Sequence, residues 1–280
     1  MKKVALGLVQ MKMSRDAEKN LHKAASLIGE AARRGAEIVC LPELFSTLYF
    51  PQSRSSEYKP VRVPGELTDA LSEAARANRV VLVGGSVYER SGHSRYNTSF
   101  VFDEGGRMLG SYRKVHLPQD PGFYEKDYFT AGREYKVFQT RRGRLGVLIC
   151  FDQWYPEPAR VTRLMGADII FYPTAIGTIQ GVKQTEGDWR AAWEAVQRGH
   201  AIANSVVVAA VNRAGSEGDL NFWGGSFVYD QFGTLLARAG EGEQILLVSC
   251  DLTLSKEVED GWGFMRSRMP QTYSKLAEPR

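Results

Sequence analysis

Gly35-Ala-Glu-Ile-Val-Cys-Leu-Pro42 and Gly166-Ala-Asp-Ile-Ile-Phe-Tyr-Pro173 repeat one pattern: glycine, alanine, an acid, four largely apolar residues, proline. In each copy the glycine reads as a helix stop and the apolar run as a buried strand. The copies lie 131 residues apart. Two further pairs follow in the same order. Ala77-Asn-Arg-Val-Val-Leu82 matches Ala203-Asn-Ser-Val-Val-Val208 at an offset of 126, and Ser99-Phe-Val-Phe-Asp103 matches Ser226-Phe-Val-Tyr-Asp230 at 127. The last pair also shares a glycine and a leucine downstream, Gly106 and Leu109 against Gly233 and Leu236. Three collinear matches at a nearly constant offset predict two halves built on one plan.

Working outward, strand and helix patterns alternate without a low-complexity linker. Residues 4–10 read as a strand. Residues 16–34 place Leu21, Ala24, Ala25, Ile28, Ala31 and Ala32 on one helical face. A second amphipathic helix is expected over 66–78, a strand over 80–88, and a hairpin over 96–114 turning near Gly105-Gly106. Each half then has one sheet face covered by its own helices and one that needs a partner. Packing the two sheets face to face meets both needs, so the expected fold is α/β, a four-layer α-β-β-α sandwich with an internal pseudo-two-fold repeat. A single doubly wound sheet is the alternative, but no Gly-rich dinucleotide or P-loop signature is present. The expected domain runs over 1–250. Residues 251–280 lie outside the repeat and carry Trp262, Phe264 and Met265, which predicts a C-terminal extension docked on a partner subunit.

Composition narrows the function. The 280 residues hold 36 Lys plus Arg and 32 Asp plus Glu, a formal net charge of +4, with 43% apolar and 24% charged residues. This is ordinary globular usage. No run of five like charges occurs, which argues against a nucleic-acid partner. No apolar run approaches the roughly 18 residues of a membrane span. The N-terminal stretch is a weak match to a signal peptide and reads better as a first strand. Three cysteines (Cys40, Cys150 and Cys250) are odd in number and far apart, with no CxxC, so neither a disulfide framework nor a zinc site is indicated. A reducing compartment, the cytoplasm, is the expected location.

Three reactive residues sit where apolar strands end. Glu43 follows Leu41-Pro42, Lys114 ends the 107–114 strand, and Cys150 closes Leu145-Gly-Val-Leu-Ile149. Taken singly, each has a plain explanation: a solvated loop acid, a surface lysine, a small buried hydrophobe. Together they can converge on one cleft.

The segments Leu41-Pro-Glu-Leu-Phe45, Tyr112-Arg-Lys-Val-His-Leu-Pro118 and Leu148-Ile-Cys-Phe-Asp-Gln-Trp-Tyr-Pro-Glu157 resemble the three signature blocks of the nitrilase (carbon–nitrogen hydrolase) superfamily. Tyr172-Pro-Thr-Ala-Ile-Gly177, Gln197-Arg-Gly-His-Ala-Ile-Ala-Asn204 and Asn212-Arg-Ala-Gly215 extend the likeness toward the N-carbamoylputrescine amidohydrolase and β-ureidopropionase branches. The resemblance implies a catalytic trio of Glu43, Lys114 and Cys150, with a second glutamate at Glu125. It also implies the four-layer sandwich, no metal or organic cofactor, and a homo-oligomer, dimeric or larger.

The chemistry then expected is hydrolysis of a linear amide or N-carbamoyl bond with release of ammonia. Cys150 attacks, Glu43 moves protons, and Lys114 lowers the thiol pKa by its charge. Lys114 and the backbone N–H of Phe151 are expected to hold the oxyanion. A thioester-type acyl-enzyme is then hydrolysed, and carbamoyl substrates also release carbon dioxide. Glu125 either steadies Lys114 or Glu43, or pairs with Lys126 at the surface. Expected pocket residues are Tyr49, Trp154, Tyr155, Thr174 and Ile179. The carbamoylputrescine branch, by resemblance, carries a glutamate for the distal ammonium where this chain has Ile179, so Glu186 or Asp188 would have to replace it. Lys183 or Arg190 would instead suit a substrate carboxylate. A Cys–His hydrolase using His116, a true nitrilase, and a non-catalytic binding protein on the same fold are the competing readings.

Overall fold

The computed structural model describes residues 3–278. The outermost residues of the expected domain and extension, 1–2 and 279–280, lie outside that range. Helix α1 (Ala17–Arg33) begins where the Asp16 carboxylate accepts the Lys19 N–H at 3.1 Å, and α2 spans Glu66–Asn78, both as the apolar spacing predicts. Helices α3 (Pro156–Leu164) and α4 (Trp189–Asn204) hold the matching places in the second half, and α5 (Leu254–Gly261) follows the last strand.

In the first sheet Lys3–Gln10, Ile38–Cys40 and Val81–Val83 run parallel, then Ser94–Phe102 and Met108–Arg113 continue antiparallel. The second sheet repeats this order with Arg144–Val147, Ile169–Pro173 and Val207–Val211 parallel, then Phe227–Tyr229 and Leu235–Arg238 antiparallel. The left-handed backbone positions recur in the same pairs: Gly35 and Gly166 (φ 98° and 99°), Arg79 and Ser205 (52° and 47°), Gly106 and Gly233 (82° and 79°). The duplication is therefore one of backbone path as well as of residue pattern.

Side-chain alternation sorts the layers. Ile38, Cys40, Val81, Val83 and Val101 share a core with Leu145, Val147, Ile169 and Phe171 of the second sheet. Val39, Leu82, Phe100 and Phe102 turn the other way, onto Ala24, Ile28, Leu71 and Ala75 of α1 and α2. Ala159 of α3 with Trp193 and Ala201 of α4 cover the second sheet. The layers are helix, sheet, sheet, helix.

Two details differ from the sequence reading. The run 80–88 is not one strand: it breaks at Gly85, whose φ of +58° turns the chain, and both pieces, Val81–Val83 and Val87–Ser91, pair with Ser94–Phe102. The halves are also not closed units. Gln244–Asp251 returns to the first sheet and pairs along the whole of Lys3–Gln10. It covers an edge that would otherwise be open, as Val137–Gln139 does beside Arg144–Val147. No helix among the described residues is long and apolar enough to cross a membrane.

Candidate active site

The cluster is built at the ends of parallel strands, on turns held by buried polar side chains. Glu43 follows Ile38–Cys40. The next residue, Leu44, takes φ +47°, and its N–H is held by Ser86 Oγ at 3.0 Å. Gly85 lies against this turn so closely that an added Cβ would be 2.2 Å from the Pro42 carbonyl oxygen. From behind, the buried Arg213 guanidinium donates to the carbonyls of Glu43 (3.2 Å), Leu44 (3.1 Å) and Thr47 (2.8 Å). Glu217 balances Arg213 at 2.6 Å and accepts the Tyr49 N–H at 2.6 Å.

Cys150 opens the short 3₁₀ segment Cys150–Trp154 with φ +43°, a strained conformation for a residue with a Cβ. The buried Asp152 carboxylate organises that turn. It accepts from the Ile149 N–H (2.9 Å), the Tyr112 hydroxyl (2.7 Å) and the His116 N–H (3.0 Å), and meets His116 Nδ1 at 2.8 Å. The segment that carries Lys114 is thereby tied to the segment that carries Cys150. His116 is spoken for by Asp152 and by a 3.9 Å stack on Tyr155. That arrangement gives no support to its use as the base of a Cys–His pair.

Lys114 is enclosed. Its Nζ donates to Glu43 Oε1 at 2.8 Å and to Glu125 Oε1 at 2.7 Å, with all three side chains out of solvent. Asn97 Nδ2 donates to the same Glu43 oxygen at 2.8 Å, and the Tyr49 hydroxyl to the same Glu125 oxygen at 2.8 Å. Glu125 therefore does not form the surface pair with Lys126. Glu43 Oε2 and Glu125 Oε2 are buried with no hydrogen-bond partner in the protein.

Burial alone would push the Lys114 pKa down, but the charges of Glu125 and Glu43 outweigh it and hold it above its ordinary value. Burial raises Glu125 to about 7, against the pull of Lys114 and with the help of Glu43. Burial also pushes the Cys150 thiol well up. Glu43 adds to that rise, and Lys114 draws the thiol down without overcoming it. The lysine thus acts on the thiol with the expected sign, but burial and the charge of Glu43 outweigh it. Glu43 is near enough for its charge to be felt at the thiol.

Glu125 and Cys150 line a cavity of about 390 Å³, whereas Glu43 and Lys114 are not part of its wall. Of the expected pocket residues, Tyr49, Trp154 and Ile179 line it, as do Phe151, Glu125 and Cys150. Tyr155 and Thr174 do not. Tyr155 is committed to His116, and Thr174 is buried with its hydroxyl on the Tyr172 carbonyl at 2.8 Å. Glu186 lines the cavity and accepts from Trp189 Nε1 at 3.1 Å. Asp188 instead caps α4 through the Ala191 N–H at 3.0 Å. Arg190 faces Glu194 and Glu241, and Lys183 is exposed away from the lining. Sequence reasoning missed Asn97, Asp120, Asp152, Gln153, Arg213 and Glu217. Only the Asn212-Arg-Ala-Gly215 block and the Phe-Asp-Gln run after Cys150 signalled any of them.

The chain matches the family model described as Carbon-nitrogen hydrolase over residues 5–260. It is 38% identical to an N-carbamoylputrescine amidase of Solanum lycopersicum over 288 residues, covering 98% of this chain and 94% of that protein. It is 35% identical to a citrullinase of Francisella tularensis over 291 residues, covering 99% of each. The crystal structure of a carbon-nitrogen hydrolase from Helicobacter pylori superposes with a TM-score of 0.92 at 37% identity, over 99% of both chains.

Proposed function

Because this chain belongs to the carbon–nitrogen hydrolase family and is an amide-hydrolysing enzyme by that kinship, we propose that Cys150, Glu43, Lys114 and Glu125 are its catalytic machinery. The observation that carries the reading is the Lys114 ammonium shared between two buried carboxylates, one of which, Glu125, lines the cavity that Cys150 also lines. Glu43 takes the thiol proton as sulfur bonds to the substrate carbonyl carbon. The oxygen gains charge, and Lys114 with the Phe151 N–H receives it, one such donor being worth about 3–4 kcal/mol. Glu43 returns the proton to nitrogen, the C–N bond breaks, and ammonia leaves a thioester. Water then loses a proton to Glu43 and adds to the thioester carbon. The C–S bond breaks, and the thiol regains its proton. If the acid released is a carbamic acid, it loses carbon dioxide and leaves an amine. Glu125 positions Lys114.

The two named relatives act on compounds that share a terminal ureido group and differ at the far end, so near-equal identity to both does not choose between them. The lining of the cavity supports one reading over the other. Asp120 and Glu186 belong to it and no lysine or arginine does, while Ile179 makes part of the wall apolar. A distal carboxylate is disfavoured there, and a neutral or cationic end is favoured. The substrate is then a linear amide or N-carbamoyl amine. The test is a panel of ureido compounds, carboxamides and nitriles with ammonia and carbon dioxide both measured. Ammonia from the first two classes supports the reading, turnover of nitriles alone makes the enzyme a nitrilase, and no turnover of any class favours a binding protein.

We also propose that the extension docks on a second copy of this chain. Trp262 and Leu276 are 64% and 68% exposed, and Met269 and Tyr273 are exposed beside them. Deleting 256–280 lowers the mass seen by light scattering if so, and an unchanged mass contradicts it.

A further inference from the structure

Gln153 lines the same cavity and its side chain is fully buried. The orientation of its carboxamide is fixed by chemistry. Trp193 Nε1 lies 2.8 Å from Gln153 Oε1, and an indole nitrogen only donates, so the atom facing it must be the oxygen. That oxygen also accepts from Gln197 Nε2 at 2.9 Å. The backbone carbonyl of Gln153 meets His200 Nε2 at 2.7 Å. Trp193, Gln197 and His200 fall at i, i+4 and i+7 along α4, one face of one helix, and all three grip this residue.

A planar amide held by its oxygen turns its nitrogen the other way. Gln153 Nε2 is buried and has no hydrogen-bond partner in the protein. Both its N–H groups are therefore desolvated and unmatched, one short 3₁₀ turn beyond the sulfur. Buried donors are nearly always paired, so an unmatched one beside a ligand cavity calls for an acceptor from the ligand.

We infer that Gln153 is a specificity-determining residue that donates to an uncharged oxygen of the substrate other than the scissile carbonyl. The inference rests on the hydrolase reading and narrows its substrate class to linear amides or ureas with an ether, hydroxyl or second carbonyl oxygen. The acceptor is uncharged because Asp120 and Glu186 share the lining and no lysine or arginine does, the nearby Lys114 ammonium being held between Glu43 and Glu125. Gln197 is a positioning residue that acts through Gln153.

The test compares linear alkyl amides and alkylureas with isosteres in which an oxygen replaces one methylene at successive positions, in the full-length enzyme. At one position the wild type should favour the ether by about tenfold or more in kcat/KM, since the hydrocarbon leaves a buried donor unmatched. Gln153→Glu keeps the acceptor for Trp193 and Gln197 but removes the donor, and should erase that preference. Gln153→Met, a variant without added charge, should erase it as well. Gln197→Met should weaken it, by a smaller factor than either Gln153 variant. Equal treatment of ether and hydrocarbon by the wild type at every position would overturn the inference. So would a uniform loss across all substrates in both Gln153 variants. Turnover of the hydrocarbon members by wild type tests the hydrolase reading by itself, so the two failures are distinguishable.

Discussion

Replacing Lys114 by methionine probes the cluster most severely, because the two side chains have similar length and the change removes charge rather than volume. Nζ sits 2.8 Å from Glu43 and 2.7 Å from Glu125, with no solvent at any of the three. Taking away one member of a buried ion pair costs about 3–5 kcal/mol, because the remaining charge has lost its counter-ion without regaining water. Here one removal strands two carboxylates, whose remaining contacts are Asn97 on one and Tyr49 on the other. Glu125, already raised by burial and by Glu43, responds by holding its proton.

The pH dependence has a definite sign. Glu125 already stands at about 7 against an ordinary 4.5, so the native state keeps a proton that the unfolded chain releases. Its contribution is fully present below about 4.5 and lost as pH rises through about 7. Without the ammonium Glu125 is raised further, because Lys114 is what draws it down. The stability deficit of Lys114→Met should therefore be about 3–5 kcal/mol near pH 8 and shrink toward pH 5. Urea melts of variant and wild type at both pH values measure it. Adding Glu125→Gln to Lys114→Met should recover part of the loss, a non-additivity expected only of groups in contact. A deficit under about 1 kcal/mol that ignores pH would refute the shared ammonium. Turnover should fall about a thousandfold or more, the scale of an oxyanion donor.

Gly85→Ala should cost about 2–3 kcal/mol in a urea melt and lower kcat, because a Cβ at φ +58° would press on the Pro42 carbonyl beneath the Glu43 turn. Asp152→Asn should destabilise by about 2–3 kcal/mol and slow turnover, since an amide nitrogen cannot accept the bonds now made by His116 or by Ile149 and Tyr112. Asp120→Asn with Glu186→Gln should raise KM for a cationic substrate about tenfold, leave kcat and neutral substrates nearly unchanged, and flatten the salt dependence of kcat/KM.

The fold was readable because it rests on local regularities repeated in order. Helical spacing defined α1 and α2, and the glycine-to-proline pattern at 35–42 and 166–173 paired the halves. The break at Gly85 was hidden, since a continuous apolar run does not reveal a left-handed residue within it. Strand-end logic located Glu43, Lys114 and Cys150 without revealing the distances between them. Tyr155 misled because an aromatic near a strand end packs as readily on His116 as on a ligand. Arg213 was invisible as a functional residue, because its contacts with the Glu43 turn cross about 170 positions of sequence. The orientation of Gln153 is likewise a tertiary fact, set by an indole 40 residues away. Ile179 lines the cavity and supplies no charge, and Glu186 lines the same cavity.

Mass spectrometry of the protein quenched in acid during turnover of a ureido or amide substrate bears most directly on the central claim. A single acyl or carbamoyl adduct on the peptide that contains Cys150 is the predicted result, with Cys40 and Cys250 unmodified. Steady ammonia release with no adduct, or with the adduct on another residue, would contradict it.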